Sequence, residues 1–314
     1  MNTYLALDLG GTKLMIAEVD EQGKLLNSKR YPSGYRTQTQ AVSGILSHLD
    51  DYFETVGLVG KPQALGMGLT GKVDHKRGIW RSLTHIDQEM VPLADILTDK
   101  TGLPAVIDND MHAAAAAELK LGWGKRCDDF IYLNVGTGLA AGFVADRHII
   151  HGYNNMSGEI GHTSNGINYD HTCTICGKQG CCEQTVSGIG FNVQARRLIS
   201  AYPDSRLHIP DDPHCKVSGA EIFALVEEGD ALCTRIVDEG VEALVVLISN
   251  MIRYTDPAAV IMGGGMAMND TLLSRVKEGL RRYSAMDNIP FGVVRSTFSP
   301  GEVGIIGAAA LAMP

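Results

Sequence analysis

"LDLGGTKLMIAEVD" at residues 7–20 and "LNVGTGLAAGFVAD" at residues 133–146 decide how this chain is read. Each places one apolar run before a short glycine turn and a second run after it, the pattern of two strands joined by a hairpin. A shift of 126 positions pairs Asp8 with Asn134, Gly10 with Gly136, Gly11 with Thr137, Thr12 with Gly138 and Asp20 with Asp146. The pair reads as one structural unit used twice.

Around the first hairpin the pattern predicts strands over residues 3–9, 14–20 and 24–31. Val42, Ile45, Leu46, Leu49, Tyr52 and Phe53 are spaced by three and four, which predicts a helix. Strands follow at 64–69 and 105–108, with a helix at 92–100 between them. Five successive alanines make 111–121 a strong helix. Beyond the second hairpin, Ser218–Gly219–Ala220–Glu221 is a capping box. A long helix is expected over 231–254, then a buried strand at 258–262 leading into Gly263, Gly264 and Gly265. Strands interleaved with helices make this an α/β protein. We expect a smaller N-terminal lobe over 1–122 and a larger one over 123–302. The boundary lies near 122–128, and a C-terminal helix at about 303–314 packs back onto the first lobe.

A chain of 314 residues with 45% hydrophobic and 20% charged residues has the composition of a soluble globular protein large enough for two domains. Its net charge of −9 argues against nucleic acid or acidic lipid as a partner. An anionic substrate is still allowed, because backbone N–H groups and helix ends can build a local anion site. Met1–Asn2–Thr3 runs directly into a strand pattern without a leader-like basic region. The longest nearly apolar stretch, 243–252, is too short to span a membrane. A cytoplasmic location and reduced thiols are therefore expected.

Several groups can carry chemistry. Glycine lets backbone N–H groups approach an anion, so both hairpins are phosphate-cradle candidates, with ordinary hairpin turns as the alternative. Asp8, at a strand end, is placed to hold a water of Mg²⁺. A Walker A pattern is missing. Asn109 and Asp110 suit a helix start, yet an ionised Asp there is also what phosphoryl transfer asks of a base that orients a hydroxyl. "SGEIGH" sets Glu159 and His162 three residues apart, able to reach one polar ligand. Four of the seven cysteines lie between 173 and 182. Cys173, Cys176 and Cys181 with His162 make a Cys₃His set suited to structural zinc. A redox pair and free thiols are the alternatives, though the glycine-rich stretch lacks a thioredoxin-like context.

Taken together, these motifs resemble the ROK family of bacterial sugar kinases and related repressors, in the actin–hexokinase superfamily. "LDLGGTK" and "NVGTG" look like its two phosphate loops, "IDND" like its catalytic pair, and "SGEIGH" like its sugar motif. "CGKQGCCE" is similar to its zinc signature and "DPAAVIMGGG" to its nucleotide-side glycine loop. The matches follow family order over residues 7–307. The resemblance implies two actin-like (ribonuclease H-like) lobes closing on ATP and a sugar, with Asp110 as the base for the sugar hydroxyl. Gly71, Asn109, Glu159, His162 and Glu183 would bind the sugar. Gly10, Gly11, Thr12, Gly136, Thr137 and Gly138 would hold phosphates, Asp8 would lie near Mg²⁺, and Gly263, Gly264 and Gly265 would face the adenosine. His162 would serve both sugar and zinc, and a homodimer is the family expectation.

The chain departs from that pattern in four places. One extra residue separates Cys173 from Cys176. Ala140 and Ala141 stand where the second phosphate loop usually has more glycine. Only Thr84 or His85 is available where a sugar-binding Asn is usual, and His112 replaces a second Asn. The expected activity is ATP-dependent phosphorylation of a hexose or N-acetylhexosamine, at C6. A sugar-sensing protein without catalysis is the rival, as is a repressor relative, for which no helix-turn-helix precedes Asp8.

Overall fold

The computed structural model describes residues 1–83, 89–167, 171–212, 214–282 and 289–314. Thr84 and His85, the two candidates for the missing sugar-binding Asn, lie outside the described residues.

The first hairpin forms β1 (Asn2–Leu9) and β2 (Lys13–Asp20), followed by β3 (Leu25–Pro32), α1 (Gln38–Thr55) and β4 (Lys61–Leu69). A short hairpin, β5 (Lys72–Asp74) and β6 (Ile79–Ser82), precedes α2 (Leu93–Thr101), β7 (Ala105–Asn109) and α3 (Asp110–Leu121). The sheet order is β3-β2-β1-β4-β7. β1, β2 and β3 meander antiparallel, whereas β4 and β7 run parallel to β1. The apolar spacing of α1 buries Ala41, Ile45, Leu49 and Tyr52 against Leu5, Leu7, Ile16 and Met67, a face set by its three–four periodicity.

The second hairpin forms β8 (Phe130–Val135) and β9 (Leu139–Ala145), and β10 (His148–Ile149) follows. Next come α4 (Glu183–Val186), α5 (Gly188–Leu198), α6 (Gly219–Glu227), α7 (Ala231–Thr255), β11 (Ala259–Gly263), α8 (Asp270–Leu280), β12 (Gly292–Arg295) and α9 (Val303–Ala312). The second sheet has the order β10-β9-β8-β11-β12. It repeats the plan of the first: a hairpin meander on one side, and two further strands on the other, with β11 parallel to β8.

The chain divides into two compact units. One comprises Met1–Asp128, Gly142–Ser157 and Thr297–Pro314; the other comprises Asp129–Ala141 and Gly158–Ser296. The division differs from the simple split near 122–128, because the chain changes unit in the middle of β9 and returns at Gly158. Within the first unit, α9 lies on α3. A Cβ added at Gly307 would stand 2.2 Å from the Ala113 carbonyl oxygen, so the backbones meet directly. Among the described residues, no helix is long and apolar enough to cross a membrane.

Candidate functional site

In the first unit the parallel strands β1, β4 and β7 end side by side. The register sets Asp8 beside Gly68, and Gly68 beside Asp108. Carboxyl ends of parallel strands are where open α/β sheets collect ligands. Asp8, the Gly10–Thr12 turn, Gly71, Asn109 and Asp110 all follow from these ends. Gly10 N–H donates to the Lys13 carbonyl at 2.9 Å, which closes the first loop and leaves Gly11 and Thr12 exposed. Burial pushes the Asp8 carboxyl above its usual range, and Lys13 only partly offsets this. A cation beside it would relieve that cost, so the residues fit Mg²⁺.

Asn109 is an N-cap: its Oδ1 accepts from Met111 N–H at 2.8 Å, and its Nδ2 donates to the Gly71 carbonyl at 3.2 Å. Gly71 has φ +95°, and a Cβ there would lie 2.1 Å from the Ser82 carbonyl oxygen, so only glycine fits this turn. Asp110 is the first residue of α3 and half-buried, in the positive field of the helix start.

In the second unit, Gly136 N–H donates to the Gly138 carbonyl at 3.0 Å, a tighter closure than in the first loop. Gly188 and Ile189, at the start of α5, donate to the Gly136 and Thr137 carbonyls at 2.9 and 3.0 Å. Gly264 has φ +89°, and Met266 N–H anchors its loop to the Val135 carbonyl at 3.0 Å. Both loops line one cavity of about 480 Å³ with Lys216, Phe223 and Asn269. Of these, only the glycine loops were marked by sequence; Lys216, just ahead of the α6 capping box, was the available signal for the rest.

Glu183 begins α4, and its carboxylate accepts from Leu139 N–H at 3.1 Å, directly behind Gly138. Glu159 is exposed and precedes a 3₁₀ turn, Ile160–His162. A Cβ on Gly161 would lie 2.4 Å from the Leu139 carbonyl oxygen, which presses this turn against the second loop.

That turn delivers His162 to the cysteines. His162, Cys173, Cys176 and Cys181 bring one donor atom each within 4.8 Å of the others. Cys176 Sγ and Cys181 Sγ are 3.8 Å apart, and His162 Nδ1 lies 3.6 Å from Cys181 Sγ. Zinc–sulfur bonds of about 2.3 Å and zinc–nitrogen bonds of about 2.0–2.1 Å give tetrahedral edges of roughly 3.8 Å and 3.5–3.6 Å. The residues fit that ion, and the sulfur separation is far longer than a disulfide. Gly177, at φ +71°, donates its N–H to the Cys173 carbonyl at 2.9 Å, so the extra residue after Cys173 is absorbed in a regular turn. Cys182 lies outside the group, its sulfur 3.6 Å from Thr163 Oγ1. Burial and the neighbouring Cys173 push the Cys181 thiol up to about 12.

A second cluster, in the first unit, was not marked by sequence. Asp108 is 2% exposed and receives His112 Nδ1 at 3.0 Å and His151 Nε2 at 2.7 Å. Burial alone would raise its pKa, but those two hydrogen bonds outweigh it and hold the carboxyl at about 2. The ring of His75 stacks on His151 at 3.5 Å. His112 was visible only as a departure from the family pattern.

The ROK family model matches residues 4–314. The chain belongs to the ROK family. A glucokinase of Halalkalibacterium halodurans is 28% identical over 97% of this chain and 93% of its own length. An N-acetylmannosamine kinase of Escherichia coli O6:H1 is 25% identical over 97% of this chain and 96% of its own length. The structure of a ROK family glucokinase from Streptomyces griseus, in complex with glucose and AMPPNP, superposes with a TM-score of 0.79 at 27% identity, covering 99% of both chains. The fold of this ROK protein is thus the mixed α/β, two-sheet, actin-like type.

Proposed function

We propose that this ROK protein is an ATP-dependent kinase acting on a hexose or N-acetylhexosamine at its C6 hydroxyl, with Asp110 as general base. The carrying observation is the placement of Asp110 at the first position of α3, beside an Asn109 side chain fixed at both ends. Similarity to glucokinases and an N-acetylmannosamine kinase supports the substrate class.

In this reading Asp110 accepts the proton of the sugar hydroxyl as its oxygen bonds to the γ-phosphorus and the bond to ADP breaks. The carboxylate sits in the positive field at the start of α3, and its main task is to aim the hydroxyl, since phosphoryl transfer has a loose transition state. Gly71, Asn109, Glu159, His162 and Glu183 bind the sugar. Gly10, Gly11, Thr12, Gly136, Thr137 and Gly138 form the phosphate loops, with Gly10 and Gly136 closing the turns and the other four offering N–H groups to phosphates. Gly263, Gly264 and Gly265 face the adenosine, Gly265 on the wall of the 480 Å³ cavity. Mg²⁺ brought with ATP would neutralise phosphate charge, with Asp8 holding its water shell. Zinc would be held by His162, Cys173, Cys176 and Cys181 in a structural role.

The test is ADP release across glucose, mannose, fructose, allose, N-acetylglucosamine and N-acetylmannosamine, with wild type and Asp110→Asn. We expect turnover with at least one of these sugars. Asp110→Asn should lower kcat by roughly 10²–10⁴-fold while sugar affinity changes little. Near-normal turnover in the variant would remove Asp110 from the mechanism.

A further inference from the structure

We propose that His75, Asp108 and His151 form a second metal site, for a divalent transition ion of the zinc class, distinct from the cysteine cluster. The three residues come from separate segments of the first unit: the turn after β5, the penultimate residue of β7, and the stretch after β10. They bring one donor atom each within 4.8 Å of the others.

The surrounding hydrogen bonds sort the donors. Asn155 Oδ1 lies 2.8 Å from His75 Nδ1, so that nitrogen carries the proton and Nε2 keeps its lone pair. His112 Nδ1–H occupies Asp108 Oδ1, which also accepts from Asn109 N–H at 2.7 Å. That leaves Asp108 Oδ2 for His151 Nε2, at 2.7 Å. The two atoms share one proton there, and a cation binding both would release it. Tetrahedral bonds of about 2.0–2.1 Å would set a nitrogen and an oxygen roughly 3.3–3.4 Å apart, so the pair must open by about 0.6–0.7 Å, and the His75 ring, stacked on His151 at 3.5 Å, must turn for its Nε2 to face the same ion. Histidine nitrogens with one carboxylate suit Zn²⁺, Co²⁺ or Ni²⁺.

The outer shell is already built. Asn155 fixes the tautomer of His75, and His112, 2% exposed, braces Asp108. Among the described residues, the Nε2 of His112 is buried without a hydrogen-bond partner. Asp108 directly precedes Asn109, whose side chain holds the Gly71 turn. A bound ion would therefore clip the β5–β6 hairpin to the start of α3. The site stands on this geometry whether or not the chain is a kinase.

The experiment strips full-length protein with a chelator, then titrates it with Co²⁺ and separately measures bound Zn²⁺ by mass spectrometry. We expect two equivalents in the wild type. One shows thiolate-to-cobalt charge transfer; the other adds only weak nitrogen–oxygen d–d bands. His75→Gln and His151→Gln should each bind one equivalent and keep the thiolate bands, whereas Cys176→Ser should keep the other signal. A wild type whose only cobalt signal is thiolate-based would overturn the proposal without recourse to any variant. So would two equivalents retained in folded His75→Gln and His151→Gln.

Discussion

Gly307→Ala is a substitution for which helix propensity and packing predict opposite signs. Gly307 is interior to α9, where Gly→Ala in an exposed helix would stabilise by about 1 kcal/mol. Here the new Cβ would stand 2.2 Å from the Ala113 carbonyl oxygen, 2.5 Å from its carbon and 3.0 Å from Ala114 N. Ordinary contact is near 3.4 Å, so the first approach is about 1.2 Å too short. All three obstacles are backbone atoms of a helix whose residues 113–117 are buried, and none can swing aside. α9 must lift from α3, loosening buried Ile305, Ile306, Ala308 and Ala309. Overpacking costs typically 1–3 kcal/mol, and this backbone clash belongs at the upper end, which leaves a net loss of about 1–2 kcal/mol after the propensity gain. Thermal unfolding should fall by roughly 2–8 °C. Gly219→Ala is the control: it is the first residue of α6, with no atom within 4 Å of its added Cβ. It should be neutral or stabilising by up to about 1 kcal/mol. A Gly307→Ala protein melting at or above wild type would refute the contact as described.

Three further outcomes are expected. Glu118 is fully buried and accepts from Trp123 N–H, Thr297 N–H and the Thr297 hydroxyl. In Glu118→Gln an amide NH₂ must face one of those donors, costing about 1–3 kcal/mol in chemical denaturation. Asp230 caps α7, and the N–H groups of Cys233 and Arg206 with the Ser205 hydroxyl outweigh burial and hold its carboxyl below the usual range. A depressed folded pKa means stability present above the unfolded value near 3.9 and lost as pH falls through the folded one. The stability gap between wild type and Asp230→Asn should accordingly shrink on acidification below about pH 4, and a constant gap would contradict the assignment. Finally, Cys173→Ser should lower bound zinc whereas Cys182→Ser should not, and chelation should speed proteolysis within residues 163–182 of the wild type.

How far the chain can be read from its order depends on the range of the interaction concerned. The hairpins are legible because glycine turns between alternating apolar runs are local, and α3 because alanines and an Asn cap are local. α8 went unpredicted although its marks are equally local, an Asn269 cap and Leu272, Leu273, Val276 and Leu280. β5, β6 and β12 are three or four residues long, too short for a period to declare itself. The change of unit within β9 has no local mark at all, because the strand continues while its surroundings change.

The two clusters show the same limit in chemistry. Three of the four donors in the cysteine cluster lie within nine positions, so spacing alone suggests zinc, and the structure adds edges of 3.8 and 3.6 Å. His75 and His112 are each solitary in the sequence, and His151 has only His148 near it, which takes no part in the cluster. They meet because β7 pairs with β4 in parallel register, which carries Asp108 to a strand end already occupied by the β5–β6 turn. Asp108 in "IDND" therefore cannot be weighed from its neighbours in the chain. Its carboxylate is ionised at 2% exposure because histidines 4 and 43 residues away donate to it, and that arrangement belongs to the topology.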